Sequence, residues 1–139
     1  MSSNNKRRVF ILDLIYEKVT EKSFNEAVES ITNTLKERKF GVLWQLNFKN
    51  KMEEHDIEFS NNFMILEVCN PDKANEVLSK HLEMGYFLPC KVVVYEKDNR
   101  VRIGTARPEK LMGMMGHDDL SHVAQEVEKI LIESIDAAI

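Results

Sequence analysis

Only two of the 139 residues are cysteine, Cys69 and Cys90, and the chain holds just three prolines and five glycines. So few cysteines exclude a disulfide-dense scaffold and the paired CxxC spacing of a structural zinc site. No HExxH occurs. Gly113 and Gly116 neither follow a strand nor complete a phosphate-binding fingerprint, which removes the Rossmann and P-loop routes to nucleotides. One tryptophan and three scattered tyrosines make no stacking platform for single-stranded nucleic acid. Charge of one sign never gathers into a long block: 19 basic and 23 acidic residues leave a net charge of −4, so neither a nucleic-acid-attracting field nor an acidic tail is indicated. No apolar run approaches the roughly 20 residues that span a bilayer. The opening "MSSNNKRRVFILDLIYEKV" mimics a signal peptide, yet Asp13 interrupts its apolar part and no small-residue cleavage site follows. Small molecules or proteins remain as the expected partners, with no nucleic acid and no membrane. The default location is the cytoplasm, where two cysteines stay thiols.

What is present suffices for a core. Hydrophobic residues make up 43% of the chain, enough to fold one domain without help from a metal or a disulfide. The expected organisation is a flexible N-terminal segment over residues 1–8 and a single α+β domain over 9–139. Val9 to Val19 is nearly continuous in β-branched and aromatic residues, as in a strand covered on both faces or touching another subunit, with Asp13 and Glu17 on its wetter side. "SFNEAVESITNTLKERKFG" opens with Ser23 and Glu26 in capping-box spacing, repeats apolar residues at helical intervals, and meets Gly41 as a stop signal. In "GVLWQLNFK" the period-two alternation of Val42, Trp44, Leu46 and Phe48 predicts a strand with one buried face. A short helix is expected around Met52 to Ile57, and "FMILEVC" is the third strand.

"NPDKANEVLSKHLEMG" reads as a helix with Asn70 as N-cap and Pro71 at its first position, burying Ala74, Val77, Leu78 and Leu82. "PCKVVVYEK" and "RVRIGT" form a hairpin across Asp98-Asn99, two residue types that tolerate positive φ. The chain closes in a long amphipathic helix striped by Leu120, Val123, Val127, Ile130, Leu131 and Ile135, with Asp118 and Asp119 at its positive end. The order β-α-β-β-α-β-β-α predicts an α+β fold: a largely antiparallel five-stranded sheet with helices packed on one face and a long C-terminal helix.

The two cysteines are the candidates with the most chemistry. Cys69 falls one residue before the N-cap Asn70, beside the positive end of a helix dipole, which lowers a thiol's pKa and makes Cys69 the better nucleophile. The plainer alternative is that both cysteines are small hydrophobes at strand ends. By parity Cys69 shares a strand side with Ile65 and Glu67, and Cys90 with Leu88, Val92 and Val94; parity alone leaves open whether the sulfurs meet. The stretches "ILEVCNPDKANEVL" and "LPCKVVVYEKDNRVRIGTARPEKLM" resemble the domain-of-unknown-function 302 family, most specifically in Cys69-Asn70-Pro71, Leu88-Pro89-Cys90, the Val92-Val93-Val94-Tyr95 strand and Pro108. The resemblance covers nearly the whole chain. It implies a TATA-binding-protein-like α+β fold, a homodimer and an interest in Cys69 and Cys90 that extends to sulfur transfer; it names no reaction, and the cofactor stays unknown.

If the cysteines act, a Cys69 thiolate with Cys90 as second sulfur could form a transient disulfide, carry a persulfide or hold a soft metal such as copper(I) or zinc. Glu67 is then the candidate proton acceptor; the plainer reading pairs it with a lysine at the sheet's edge. The other function class is a non-catalytic small-ligand-binding or protein-interaction module with structural cysteines, its pocket lying between the sheet and the last helix. Arg100 and Arg102 share one strand face and offer an anion-binding surface, against the plainer reading of a solvated face. Met112, Met114, Met115 and His117 have soft-ligand potential, although methionines in such a turn more often fill an apolar gap. The histidines His55, His81, His117 and His122 follow no metal-ligand spacing, so no dedicated zinc site is expected.

Overall fold

The computed structural model describes residues 13–139. The segment expected to be flexible over residues 1–8, and the first residues of the expected first strand, lie outside the described residues. Strand β1 runs Ile15–Thr20, later and shorter than its apolar composition predicts. Asp13 precedes it, and its carboxylate pairs with Arg107 at 3.2 Å and Lys110 at 3.3 Å.

Helix α1, Phe24–Glu37, begins as its sequence predicts. Ser23 Oγ accepts the Glu26 backbone N–H at 3.2 Å and donates to the Glu26 carboxylate at 2.9 Å, satisfying donors that a helix start leaves free. Its end differs from expectation. Lys39 takes the left-handed conformation, at φ 65°, while the Phe40 N–H returns to Leu35 O at 2.9 Å. Gly41 is thereby released to begin strand β2, Gly41–Asn47.

The period-two reading of β2 is right in kind and wrong in face. A register shift between Val42 and Trp44 leaves Val42 opposite Val68 but sets Trp44 opposite Glu67 and Leu46 opposite Ile65, away from the helical layer. Trp44 is 50% exposed as a result. Asn47 ends the strand by capping the Asn50 N–H at 3.1 Å, so Phe48 belongs to helix α2, Phe48–Glu54, rather than to the strand. That helix starts four residues before the one expected, because the cap lies at Asn47.

Strand β3, Phe63–Cys69, leads into helix α3, Pro71–Lys80, where the Asn70 side chain accepts the Lys73 N–H at 3.1 Å. Of the expected apolar face of α3 only Val77 is fully buried. Leu82 is 81% exposed, because the helix ends at Lys80 and the chain continues as a 3-10 turn over Leu82–Phe87 that buries Met84 instead. Strands β4, Cys90–Lys97, and β5, Arg100–Ala106, join across Asp98 and Asn99, whose φ values of 54° and 60° are those of a tight hairpin turn. A short helix α4, Pro108–Gly113, and a 3-10 turn, Asp118–Leu120, precede the long helix α5, Ser121–Ala138.

The strands form an antiparallel sheet in the order β1-β5-β4-β3-β2. Both β1 and β2 are edges, joined by α1. The α+β architecture, the five-stranded antiparallel sheet and the long C-terminal helix are therefore as expected. The core lies between α1, α5 and one face of the sheet. Ile31 and Leu35 meet Leu66, Val68, Val92, Val94 and Ile103 from the sheet, and Leu131 and Ile135 from α5, all fully buried. The two helices are also joined by polar groups, since Thr34 Oγ1 donates to Ser134 O at 2.8 Å. Burial of this kind contributes about 25 cal/mol per Å² of apolar surface, and no buried side-chain nitrogen or oxygen among the described residues lacks a partner to offset it.

The opposite face of the sheet is more open. Ile15, Val19 and Trp44 are 40%, 43% and 50% exposed there, with Phe48 set edge-on to Phe63 at its margin.

Candidate functional site

The strand ends next to α3 carry both cysteines. The register pairs Cys90 with Val68, on the core side with Val92 and Val94, while Cys69 closes β3 opposite Gly41. Though of opposite parity, the two residues border one small pocket of about 30 Å³, together with Asn70, Pro89 and Met112. Tertiary structure thus brings both cysteines, as free thiols, to the border of one pocket.

The low pKa expected of Cys69 is corrected by its surroundings. Burial pushes the Cys69 thiol up, not down. The helix end it was expected to exploit is already occupied by the Asn70 side chain, and the apolar pocket disfavours a thiolate. Cys90 is pushed up to about 11, first by burial and second by the neighbouring Cys69. Both are therefore protonated at neutral pH.

A larger cavity of about 210 Å³ also borders Cys90. The Leu82–Phe87 turn supplies Tyr86 and Phe87, the link to β4 supplies Leu88 and Pro89, and α4 supplies Leu111 and Met112. Its one ion pair is Glu67 with Lys91, Nζ to Oε1 at 3.0 Å, on adjacent strands β3 and β4. Glu67 is thus paired with a lysine, and it borders the cavity that contains Cys90.

Helix α4 is fixed from beneath by a buried carboxylate. Glu128 of α5 holds Arg107 Nη2 at 3.0 Å and Nε at 3.2 Å, and its other oxygen accepts the Glu109 N–H at 3.2 Å. The same Arg107 donates to Asp13 Oδ1 and O, at 3.2 Å and 3.1 Å. One arginine therefore ties the entry of β1, the end of β5 and the long helix to the wall of the cavity.

Other residues singled out by the sequence fall elsewhere. Arg102 donates from Nη1 to Lys97 O and Arg100 O, at 2.9 Å and 3.2 Å, and stands 3.7 Å from Glu17. Arg100 is exposed at the hairpin. Of the methionines, Met112 is buried in helix α4 rather than in the turn expected there, Met115 packs against the core and Met114 is 61% exposed. Tyr86, Phe87 and Leu111 wall the cavity without any mark in the sequence, because the expected helix stops at Gly85, before the first two, and Leu111 falls in the Met-rich segment expected only to fill an apolar gap. No sequence spacing joins His81 to His117, yet their rings are stacked with centroids 3.6 Å apart.

The model of the family described as "Domain of unknown function DUF302" matches residues 16–138. Among solved structures, that of an uncharacterized conserved DUF302 protein from Bacillus stearothermophilus is similar, with a TM-score of 0.87 and 40% identity, covering 91% of this chain and 98% of that one. No curated protein matches the chain. No helix among the described residues is long and apolar enough to cross a membrane.

Proposed function

This chain belongs to the DUF302 family, and from that premise we propose that it is a non-catalytic domain binding a small, compact, mainly apolar molecule in the cavity beside Cys90. The observation that carries the proposal is the cavity itself. Its volume of about 210 Å³ exceeds the roughly 150 Å³ that accommodates a benzene ring and falls below the range of about 300–1,000 Å³ typical of drug-sized ligands. A ring or short branched chain fits Phe87, Leu88, Leu111 and Met112. A carboxylate or other polar group on it meets Lys91, which exchanges part of its contact with Glu67 for the ligand.

The test is a titration with benzoate, which combines one ring with one carboxylate, followed by methyl NMR. Shifts confined to Leu88, Leu111 and Met112, and abolished when Met112→Trp fills the cavity, support the proposal. Shifts spread over the surface, or none at all, refute it.

A second reading uses the thiols. Its specific support is that Cys69 and Cys90 border one pocket and that Cys69 is close enough to add to the upward push on the Cys90 thiol. In this reading the pair carries sulfur or holds a soft metal, copper(I) or zinc, which displaces both thiol protons on binding; Glu67 accepts one of them. A native mass spectrum of protein purified without reductant tests this. A metal or sulfur adduct lost in Cys69→Ser supports the thiol site, and a clean mass leaves the cysteines as packing.

The same spectrum tests the proposed partner, a second copy of the chain. The open sheet face offers exposed Ile15, Val19 and Trp44 among the balanced pairs Glu17–Arg102 and Glu67–Lys91, a pattern suited to isologous self-association. A monomeric mass at working concentration refutes it.

A further inference from the structure

The Leu82–Phe87 turn that walls the larger cavity begins beside a second group of side chains, brought together from two stretches far apart in the chain. His81 caps the end of α3, Glu83 lies in the turn, and His117 and Asp119 flank the start of the 3-10 turn before α5. His117 Nε2 is 2.8 Å from Glu83 Oε1, and His81 Nδ1 is 3.7 Å from the same oxygen. The opposite nitrogen of His81, Nε2, is 3.0 Å from both oxygens of Asp119.

We propose that His81, His117 and Glu83 form a binding site for a divalent ion of the zinc class, with Asp119 orienting His81 from behind. The donor set is the first argument. Two imidazoles and one carboxylate suit a borderline divalent ion, and three protein ligands leave a fourth position for water or a ligand. Among the described residues this is the group of histidine and acidic side chains whose donor atoms all lie within 4.8 Å of one another.

The tautomer of His81 is the second argument. A carboxylate at Nε2 favours the tautomer that carries its proton there, and that tautomer leaves Nδ1, on the Glu83 side, as the nitrogen that can ligate. His81 Nδ1 and Glu83 Oε1, 3.7 Å apart, are then two donor atoms facing each other, a spacing that a cation placed between them can bridge. A carboxylate–histidine–metal chain of this kind fixes ring orientation and raises ligand basicity.

Access is the third. The side chains of His81, His117 and Glu83 are 25%, 24% and 45% exposed, so an ion reaches them without unfolding the core. The imidazoles lie stacked at 13° to one another, and coordination requires them to swing so that both lone pairs point to one centre. With bonds of about 2.0–2.1 Å, tetrahedral nitrogens stand roughly 3.3 Å apart, so the set contracts by about 1.5 Å at most. Rotations of exposed side chains supply that movement. The bound ion joins the end of α3 to the α4–α5 connection.

The test is titration of the full-length protein with zinc and, separately, with cobalt(II). The expected result is one equivalent of zinc bound, with the ring resonances of His81 and His117 shifting together in the wild-type protein. Cobalt gives visible d–d bands without a thiolate charge-transfer band. His81→Gln and His117→Gln each weaken binding by at least about 100-fold, and Asp119→Asn by about 10–100-fold. A variant with Cys69→Ser and Cys90→Ser binds unchanged, which separates this site from the thiol reading. No uptake by the wild type overturns the proposal. So does binding that survives both histidine substitutions, or one that vanishes with the cysteines; the wild-type histidine shifts decide the matter even where a variant folds poorly.

Discussion

Replacing Cys90 by alanine gives the most direct measure of how dry the thiol's surroundings are. Burial and the neighbouring Cys69 raise the Cys90 thiol from 9.0 to about 11 in the folded protein. Below pH 9 the thiol is protonated in both folded and unfolded chains, and it adds no pH dependence. Between pH 9 and 11 the unfolded chain releases the proton first, so folding loses stability as pH rises. A hundredfold displacement of an ionisation equilibrium corresponds to about 2.7 kcal/mol, the order of the loss expected by pH 11. Cys90→Ala removes this dependence and introduces a pH-independent packing loss of about 1 kcal/mol. The variant is therefore less stable than the wild type at pH 8 and more stable at pH 11, with a crossing between. Urea unfolding at intervals over that range measures it, the midpoint reporting stability and an unchanged slope confirming comparable unfolding. Tyr16 and Tyr95, both pushed up to about 12 chiefly by burial, titrate in both proteins and cancel in the comparison. A stability difference that stays constant from pH 8 to 11 would refute the reasoning, because Cys90 would then be ionising as freely as a thiol in water.

Other perturbations probe the scaffold of the site. Glu128→Ala leaves Arg107 without its buried partner and is expected to cost about 3–5 kcal/mol in urea unfolding, with Glu128→Gln in between because it keeps an acceptor for the Glu109 N–H. Gly104→Ala sets a Cβ only 2.9 Å from the Tyr16 carbonyl oxygen and 3.3 Å from Glu17 Cβ; a loss of about 1–3 kcal/mol, with faster amide exchange in β1, is expected, and unchanged exchange there contradicts the predicted displacement of the edge strand. Ser23→Ala removes the N-cap of α1 and is expected to cost about 1 kcal/mol, measured by thermal or urea unfolding, with Ser23→Asp restoring most of it.

Local chemistry was legible in the sequence. The Ser23 N-cap, the Asn70-Pro71 helix start and the Asp98-Asn99 turn all form as read, because each depends on groups a few residues apart; of the Ser23–Glu26 capping box, the Glu26 carboxylate takes the Ser23 hydroxyl rather than its backbone N–H. Strand β3 was equally clear as a strand, and the structure buries its Met64, Leu66 and Val68 between half-buried neighbours. The face of β2 was not legible. One extra residue at the shift between Val42 and Trp44 turns Trp44 and Leu46 to the other side, and a bulge leaves no mark in the apolar pattern. Leu82 misled for a related reason. It continues the helical spacing of α3, but the chain leaves the helix at His81 and buries Met84 in its place.

The sequence by itself determined the fold class, because hydrophobic periodicity and capping are repeated, short-range signals that many residues support together. It also singled out Cys69 and Cys90 as neighbours of helix and strand ends. Only the tertiary structure decided that both thiols border one pocket, that burial outweighs the helix end in setting the state of Cys69, and that a cavity opens under Tyr86 and Phe87. It alone set His117 beside Glu83, 34 residues away in the chain. The reason is physical: a side chain's ionisation and partners depend on what the folded chain packs around it and how much water that packing removes, and neither is a property of its neighbours in sequence.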